Sequence, residues 1–131
     1  MYNISKEFHW SASHQLSDLP DGHPCTRLHG HNYIARVNVQ AHTVDAAGFV
    51  VDFGDLAGVG KVIDEQFDHQ HLNDRVIFNP TAENLAAYLV RLTLNKLGKL
   101  DQLKGRTIRV RVEVCETPKC WASFTGEWET L

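Results

Sequence analysis

Three histidines in the N-terminal part of the chain have the spacing of metal ligands. His29 and His31 flank Gly30, and residues i and i+2 of a strand project to one face, so both imidazoles can reach one ion. His14 lies on the apolar side of the preceding segment. Three imidazoles leave tetrahedral Zn²⁺ one open position, as in catalytic rather than structural sites. Neutral nitrogen ligands suit zinc, and copper and iron accept them as well.

The histidine content supports a chemical role for this trio. The chain has eight histidines, and three of them, His23, His29 and His31, fall within nine residues. An isolated His-x-His pair is as often a chance polar cluster as a metal site, and His14 alone could be a core histidine. The third histidine and a nearby cysteine favour the metal. His9, on a polar face, and His42, at a strand end, are interpreted as surface residues.

Cys25 precedes His29 by four residues, in the loop that leads to the histidine pair. A bound cation nearby would stabilise its thiolate. It could then act as a fourth ligand, which would close the site, as a nucleophile or as a general base. The alternative is a small buried residue without a chemical role.

Asp68 and His69 are adjacent, and a histidine beside a carboxylate is typical of a proton-handling unit. Adjacent helical residues point about 100° apart, so the two can cooperate only if the chain has left helical geometry there. The alternative is a histidine that interacts with the dipole at a helix C-terminus. His71 competes with His69 for the role.

Glu116 follows a valine-rich segment at a predicted turn. A buried carboxylate without a cation is costly. A ligand with a guanidine-like edge would offset that cost through two parallel hydrogen bonds. The alternative is a turn residue in water.

The segments that must position these side chains begin with two strands. Apolar residues occupy the even positions of 2–14, with Lys6 as the exception, and the odd positions of 31–41. His14 therefore falls on the apolar face of the first strand, and the His-x-His pair shares the parity of the second. The stretch 16–28, rich in Asp, Gly and Pro, predicts a loop between them.

Two helices are predicted in the middle of the chain. The first starts near Asp52 or Asp55 and ends at the Asp-His pair described above. The second has Thr81 as N-cap and Glu83 in its first turn, and it stops at Gly98.

A final hairpin combines strands at 108–114 and 120–128 around a four-residue turn. That turn length places Val114 on the same face as Trp121, whereas an odd loop or a bulge would place it with Phe124. The order ββααββ predicts an α+β domain, with a four-stranded antiparallel sheet and two helices on one face. The opposite face would carry several arginines, either in solvent or inside an assembly.

Composition sets the broad class. With 131 residues, 43% apolar and 22% charged, the chain is expected to form one domain over residues 1–131. A net charge of -3 gives no reason to expect nucleic-acid binding. The absence of long apolar runs and of a secretory signal, with three cysteines, predicts a cytoplasmic protein with reduced thiols and no membrane partner.

Six sequence blocks resemble the 6-pyruvoyltetrahydropterin synthase and 6-carboxytetrahydropterin synthase superfamily. They are FHWSASHQL (8–16), CTRLHGHNY (25–33), VDFGDL (51–56), FDHQHLN (67–73), NPTAENL (79–85) and VCETP (114–118). The blocks run in the family order over essentially the whole chain. The Cys-x-x-x-His-Gly-His spacing resembles the bacterial queuosine-pathway branch. The animal-type branch has a longer gap there, and a folate-pathway variant has glutamate instead of cysteine.

The resemblance implies a role for each matching position. The implied zinc ligands are His14, His29 and His31; the implied catalytic base and proton-relay partners are Cys25, Asp68 and His69; the pterin anchor is Glu116; and Thr81 and Glu83 match a block beside the substrate pocket.

The resemblance also implies an architecture and an activity. The fold would be a T-fold, three subunits would join their sheets into a barrel, and two trimers would stack as a homohexamer with sites between subunits. The activity would be that of a zinc-dependent lyase converting 7,8-dihydroneopterin triphosphate to 6-carboxytetrahydropterin, with loss of triphosphate and acetaldehyde. The alternatives are formation of 6-pyruvoyltetrahydropterin, a non-catalytic zinc- or pterin-binding relative, and a structural zinc domain.

Overall fold

One sheet and two α-helices position the candidate residues. The computed structural model describes residues 1–129. The elements are β1 (Tyr2–His14), β2 (His29–Ala41), α1 (Ala57–Gln66), β3 (Gln70–His71), α2 (Ala82–Leu97), β4 (Thr107–Thr117) and β5 (Cys120–Glu129). The strand order is β3-β1-β2-β4-β5, and the four long strands are antiparallel neighbours. The predicted α+β class is confirmed.

The sheet has five strands instead of the predicted four. The additional strand, β3, pairs in parallel with Ala12 and Ser13 of β1. It is only two residues long, which is too short to show any periodicity in sequence. It lies at the outer edge, directly after the predicted Asp68–His69 pair.

The predicted alternation of β1 and β2 is confirmed by burial. Trp10 of β1 and Tyr33 of β2 are 3% and 1% exposed and stack with their ring centroids 5.0 Å apart. Lys6, the exception in the pattern, donates to the carbonyl oxygen of Phe53 at 3.4 Å and lies 5.8 Å from the centroid of the Phe8 ring. Its charge thus stays at the border of the core.

Both helices pack on the apolar face of the sheet. A Cβ atom at Gly60 of α1 would lie 2.7 Å from the Phe8 ring on β1. A Cβ at Gly126 of β5 would lie 2.7 Å from Val90 of α2. Glycine at these two positions lets each helix approach the sheet closely. No helix within residues 1–129 is long and apolar enough to cross a membrane.

The helix boundaries differ from the prediction for α1 and agree for α2. A 3₁₀ turn capped by the Asp52 side chain precedes α1, which therefore begins at Ala57. The helix ends at Gln66, before the Asp-His pair that was predicted to close it. Thr81 caps α2, because its hydroxyl accepts a hydrogen bond from the Asn84 amide at 3.1 Å.

The last hairpin contains a bulge. The register shifts between Cys115 and Thr117, so that Val112 lies opposite Phe124 and Val114 opposite Ala122. Val114 therefore lies on the same face of the hairpin as Phe124, as expected for a bulge, and not on the face of Trp121. The predicted four-residue turn is shorter, because β4 continues to Thr117 and β5 begins at Cys120.

The predicted arginines occupy the face of the sheet opposite the helices, and each has a carboxylate partner. Arg36 contacts Glu7 at 2.8 Å and Glu113 at 3.2 Å. Arg111 also donates to Glu113, and Arg109 pairs with a glutamate of β5 at 3.3 Å. This face is a charge-balanced ladder rather than an anion-binding surface.

Candidate metal centre and proton relay

The register of the first hairpin brings the three predicted ligands together. His14 lies directly opposite His29, and Ala12 opposite His31. The three imidazoles therefore leave neighbouring positions of one face. One ring nitrogen from each histidine belongs to a group whose members all lie within 4.8 Å of one another. A single metal ion can be reached from all three.

The orientation of His14 and His29 is set by backbone carbonyls. The Nδ1 atom of His14 donates to the carbonyl oxygen of Pro80 at 2.9 Å, and Nδ1 of His29 donates to that of Arg27 at 2.7 Å. A carbonyl can only accept, so each Nδ1 carries the proton of a neutral ring. Both Nε2 atoms then carry lone pairs, as in histidines that bind metals.

These two lone pairs face each other, with the Nε2 atoms of His14 and His29 2.9 Å apart. Two neutral acceptors at that distance repel unless a cation lies beside both. Burial lowers the pKa of His14, which disfavours a shared proton there. The donor set therefore fits a metal ion.

His31 completes the set with a nitrogen that lacks a hydrogen bond. Its Nε2 is buried and has no hydrogen-bond partner within residues 1–129, and its nearest ionic contact is Glu116 Oε2 at 3.9 Å. Burial lowers the pKa of His31 despite the opposing effect of that carboxylate. A neutral, unpaired imidazole nitrogen beside two others is what a metal site requires.

Tyr33 supports the trio from the core. Its hydroxyl oxygen lies 3.1 Å from His14 Nδ1, and its ring lies 5.5 Å from that of His31 between centroids. Burial, and secondarily the charge of Glu116, raises the pKa of Tyr33 above its usual range. The side chain therefore remains a neutral phenol.

Cys25 lies in a 3₁₀ turn, Pro24–Thr26, within the loop between β1 and β2. It is half-buried, and its carbonyl oxygen accepts a hydrogen bond from the Leu16 amide at 2.9 Å. Among the described residues, the ligand group comprises the histidines without this thiol. The arrangement thus leaves a metal coordination position open, and Cys25 remains available for other chemistry.

Asp68 and His69 meet the geometric condition for cooperation. His69 has a φ of 59°, so the chain has left helical geometry, and its Nδ1 lies 3.1 Å from Asp68 Oδ2. The Ser11 amide donates to Asp68 Oδ1 at 3.0 Å, and the His69 amide donates to the Ser11 carbonyl at 2.7 Å. These contacts fix the pair to β1.

The Asp68 carboxyl of this pair is favoured in its ionised form. The hydrogen bond from the Ser11 amide, together with His69, holds the pKa of Asp68 below its usual range. A carboxylate beside the imidazole orients it for proton transfer. The His69 side chain is 83% exposed, so its imidazole is accessible from solvent. His71 instead contacts the Ser13 hydroxyl through Nδ1 at 2.9 Å.

Glu116 lies in the bulge of β4 and faces a cleft of about 670 Å³. That volume suits a small-molecule ligand. The cleft is also lined by Trp10, His31 and Asp68, so it joins one of the three histidines to the carboxylate of the Asp-His pair. The Glu116 side chain is 26% exposed, and it is therefore neither a surface turn residue nor fully buried.

Thr81 and Glu83 occupy different positions from the groups above. The Thr81 hydroxyl is engaged in capping α2. Glu83 lines a second, smaller cleft of about 380 Å³, with Glu116 and Trp121 on its wall. The carbonyl oxygen of Pro80, beside Thr81, is the group of this block that contacts one of the three histidines, His14.

Several groups of the site have no signature in the sequence. The carbonyl oxygens of Pro80 and Arg27 orient the histidines, yet every residue carries such a group. Trp10 lines the cleft, but its place in an alternating strand predicts only a core residue. The bulge that presents Glu116 follows from strand pairing and not from local composition.

The chain is similar to a known protein family and to named bacterial proteins. A family model described as 6-pyruvoyl tetrahydropterin synthase matches residues 3–127. A Bacillus subtilis protein named 6-carboxy-5,6,7,8-tetrahydropterin synthase is 31% identical over 130 residues, covering 94% of this chain and 84% of that protein. A Rickettsia felis protein of the same name is 30% identical over 142 residues, covering 92% and 98%.

The arrangement of strands and helices is also shared with solved structures. The structure of Caenorhabditis elegans 6-pyruvoyl tetrahydropterin synthase superposes with a TM-score of 0.76 at 26% identity. The match covers 95% of each chain, so it includes the strands that carry the histidines as well as both helices.

Proposed function

This chain belongs to the 6-pyruvoyl tetrahydropterin synthase family and has its T-fold, and from that premise we propose that it is a zinc-dependent 6-carboxy-5,6,7,8-tetrahydropterin synthase. It would convert 7,8-dihydroneopterin triphosphate and one water molecule to 6-carboxytetrahydropterin, triphosphate and acetaldehyde, in queuosine biosynthesis. The names of the two bacterial relatives support this choice within the family. The observation that carries the proposal is the three-histidine group beside a cleft that also contains Asp68 and Glu116.

His14, His29 and His31 would hold the metal through the nitrogens that face one another. When bound, Zn²⁺ supplies Lewis-acid chemistry, polarising an oxygen of the substrate side chain and stabilising negative charge that develops on it. The two Nδ1 hydrogen bonds to carbonyls keep His14 and His29 in the tautomer that can bind it.

Glu116 would bind the amino-pyrimidinone edge of the pterin. A carboxylate can accept two parallel hydrogen bonds from such an edge, and its place beside His31 would set the distance from ring to metal. Fixing the ring in this way is positioning catalysis. Thr81 and Glu83 would contribute from the border of the pocket, Thr81 by holding the start of α2 and Glu83 from the second cleft.

Cys25 and the Asp-His pair would move the protons. Cys25, as thiolate, would remove a proton from the substrate side chain, and His69 would return one. Asp68 would orient the imidazole of His69 through the contact at its Nδ1. This chemistry needs a reduced Cys25, and all three cysteines are free. The enzyme, a single domain over residues 1–131, would therefore work in the cytosol.

The enzyme would act as a homohexamer, a dimer of trimers with sites at subunit interfaces. β5 lies at one edge of the sheet, and at the other β3 covers only two residues of β1. Exposed edges of this length are normally paired or covered. The exposure of His69 also suits a site completed by a neighbouring subunit. Light scattering of the purified protein tests the assembly.

Incubation with 7,8-dihydroneopterin triphosphate and zinc, followed by mass spectrometry of the product, tests the activity. A carboxyl side chain with acetaldehyde release supports the proposal. A pyruvoyl side chain would instead identify a 6-pyruvoyltetrahydropterin synthase, the nearest alternative within the family. No turnover by the zinc-loaded protein would identify a non-catalytic zinc- or pterin-binding relative. Cys25→Ala serves as the inactive control.

A further inference from the structure

The chain immediately after His14 is held by side chains rather than by a strand. β1 ends at His14, and its edge partner β3 pairs only with Ala12 and Ser13. Beyond that point, Asn73 and Asn79 take the place of a neighbouring strand. Each uses its amide to bond both backbone groups of one residue.

The two contacts have the same form. Asn73 accepts from the Gln15 amide at 2.9 Å and donates to the Gln15 carbonyl at 2.8 Å. Asn79 accepts from the Ser17 amide at 3.0 Å and donates to the Ser17 carbonyl at 2.9 Å. Residues i and i+2 of an extended chain turn their backbone groups to one side, which is the pattern of a strand edge.

Leu16, the residue between Gln15 and Ser17, makes its backbone hydrogen bond to a different part of the chain. The Leu16 amide donates to the carbonyl oxygen of Cys25 at 2.9 Å. The three-residue segment 15–17 is thus fixed by the two asparagines and in turn holds the loop that carries Cys25. A shift of this segment would move the thiol.

The anchor of Asn79 also supports the metal centre. Its carbonyl oxygen accepts from the Thr81 amide at 2.8 Å and from Asn84 Nδ2 at 2.9 Å. The next residue, Pro80, accepts the hydrogen bond from His14 Nδ1. The two residues Asn79 and Pro80, just before α2, therefore have two roles. The Pro80 carbonyl orients His14, and the Asn79 side chain holds the segment that carries the Cys25 loop.

Asn73 connects the same loop to the other half of the site. It lies in the 3₁₀ turn Leu72–Asp74, which directly follows β3 and is anchored by the fully buried Leu72. The Asp68–His69 pair lies just before β3 and is bonded to β1.

We propose that Asn73 and Asn79 are positioning residues, which place Cys25 relative to the three-histidine centre by substituting for a strand beside residues 15–17. This inference rests on the proposed function for its catalytic consequence. Its structural part, the placement of Cys25, concerns the chain alone and can be measured without substrate.

The test compares the zinc-loaded wild-type chain with Asn73→Ala, Asn79→Ala and Asn79→Asp. The rate of alkylation of Cys25 by iodoacetamide is measured by mass spectrometry, with the exposed Cys120 of the same molecule as reference. The Cys25/Cys120 ratio is expected to rise roughly 5- to 30-fold in both alanine variants, the factor by which one or two weak hydrogen bonds change a local opening equilibrium. Asn79→Asp keeps the size but sets an oxygen against the Ser17 carbonyl, and it should behave like Asn79→Ala.

Turnover gives a second readout. With 7,8-dihydroneopterin triphosphate, kcat should fall roughly 10- to 100-fold, as expected for a misplaced catalytic group, while KM stays near the wild-type value. Asn38→Ala is the control, since the Asn38 side chain also makes one hydrogen bond to a side chain and one to a backbone carbonyl, but on the opposite face of the sheet. It should leave both the alkylation ratio and kcat unchanged.

Each outcome is decisive. A Cys25/Cys120 ratio equal to wild type in folded Asn73→Ala and Asn79→Ala overturns the proposal, and so does a wild-type ratio in Asn79→Asp if the alanine variants fail to fold. An equal rise in Asn38→Ala also overturns it, because the effect would then be one of general stability. A wild-type chain without turnover refutes the proposed function, whereas the alkylation ratios still decide the placement of Cys25.

Discussion

His14 and His29 point their Nε2 atoms at each other across 2.9 Å, while each ring gives its other N–H to a backbone carbonyl. The hydrogen bonds leave both facing nitrogens as acceptors, so the pair is suited to hold a cation. His31 adds a third acceptor that has no hydrogen-bond partner within residues 1–129. The folded hairpin is therefore prepared for metal by backbone geometry as well as by ligand type.

Removal of the metal is expected to abolish turnover and lower the melting temperature. Zinc at a hundred times its Kd should add about 2.7 kcal/mol to the free energy of unfolding, because it binds the folded chain through ligands that the unfolded chain does not assemble. Thermal unfolding of chelated and zinc-reconstituted protein measures the effect.

The matched variants are His29→Ala and His9→Ala. Metal affinity should fall in His29→Ala by more than the roughly 10- to 100-fold typical of a lost outer-shell partner, since a ligand itself is removed. His9, which lies on the polar face, should be replaceable without loss of zinc. Equal zinc uptake by the two variants would contradict the ligand assignment.

Glu116→Gln is expected to weaken substrate binding. The variant keeps its size but loses the charge that would accept two hydrogen bonds from the pterin edge. Hydrogen bonds to charged groups contribute about 1.5–3 kcal/mol, so KM should rise roughly 10- to 100-fold while kcat changes less. Glu65→Gln, on the exposed side of α1, is the control and should retain the wild-type KM. An unchanged KM in Glu116→Gln would refute the anchoring role.

Asp68→Asn is expected to change how stability depends on pH. The pKa of Asp68 is lowered in the folded chain, chiefly by the Ser11 amide, so its ionised form stabilises the fold. That contribution is complete above the unfolded-state pKa of about 4 and is lost as the pH falls through the lower folded value. Chemical unfolding should therefore show a wild-type advantage at neutral pH that shrinks in acid. An advantage independent of pH would show that ionisation of Asp68 does not contribute.

Alanine at the two glycines of α1 should have opposite consequences. Gly58→Ala should stabilise the protein by about 1 kcal/mol through helix propensity, since its Cβ would meet only the stem of Lys96 at 3.4 Å. Gly60→Ala gains the same propensity but displaces the Phe8 ring, at a cost of about 1–3 kcal/mol. The difference between the two variants in the free energy of unfolding, measured with denaturant, gives the cost of displacing the Phe8 ring.

A double-mutant cycle checks the cause of that difference. Phe8→Leu combined with Gly60→Ala should show coupling, because the two residues are in contact, whereas Phe8→Leu with Gly58→Ala should be additive. Equal stability of Gly58→Ala and Gly60→Ala would mean that the helix shifts freely on the sheet.

The sequence alone predicts much of the scaffold for a physical reason. Period-two alternation reports which face of a strand is buried, and it placed His14 and His31 on the core side. Thr81, a residue type favoured at helix N-caps, indicated the start of α2. Both signals are local, so neither requires knowledge of the partner elements.

Other features depend on long-range pairing and were not predictable. Parity allows several registers, and only the paired strands set His14 opposite His29. The bulge that presents Glu116, the two-residue strand β3 and the carbonyl of Pro80 all arise where distant segments meet. Their residues carry no local pattern that distinguishes them.

His69 combines two demands at a single position. Its φ of 59° lies in a region that histidine, asparagine, aspartate and glycine tolerate and that β-branched residues avoid, while the proposed chemistry requires an imidazole. A side chain that is 83% exposed would ordinarily accept almost any replacement. Here mutational tolerance should be narrow and split: asparagine and glycine should preserve the turn without proton transfer, valine and isoleucine should lose both, and histidine supplies the tolerated backbone together with the imidazole that the proposed chemistry requires.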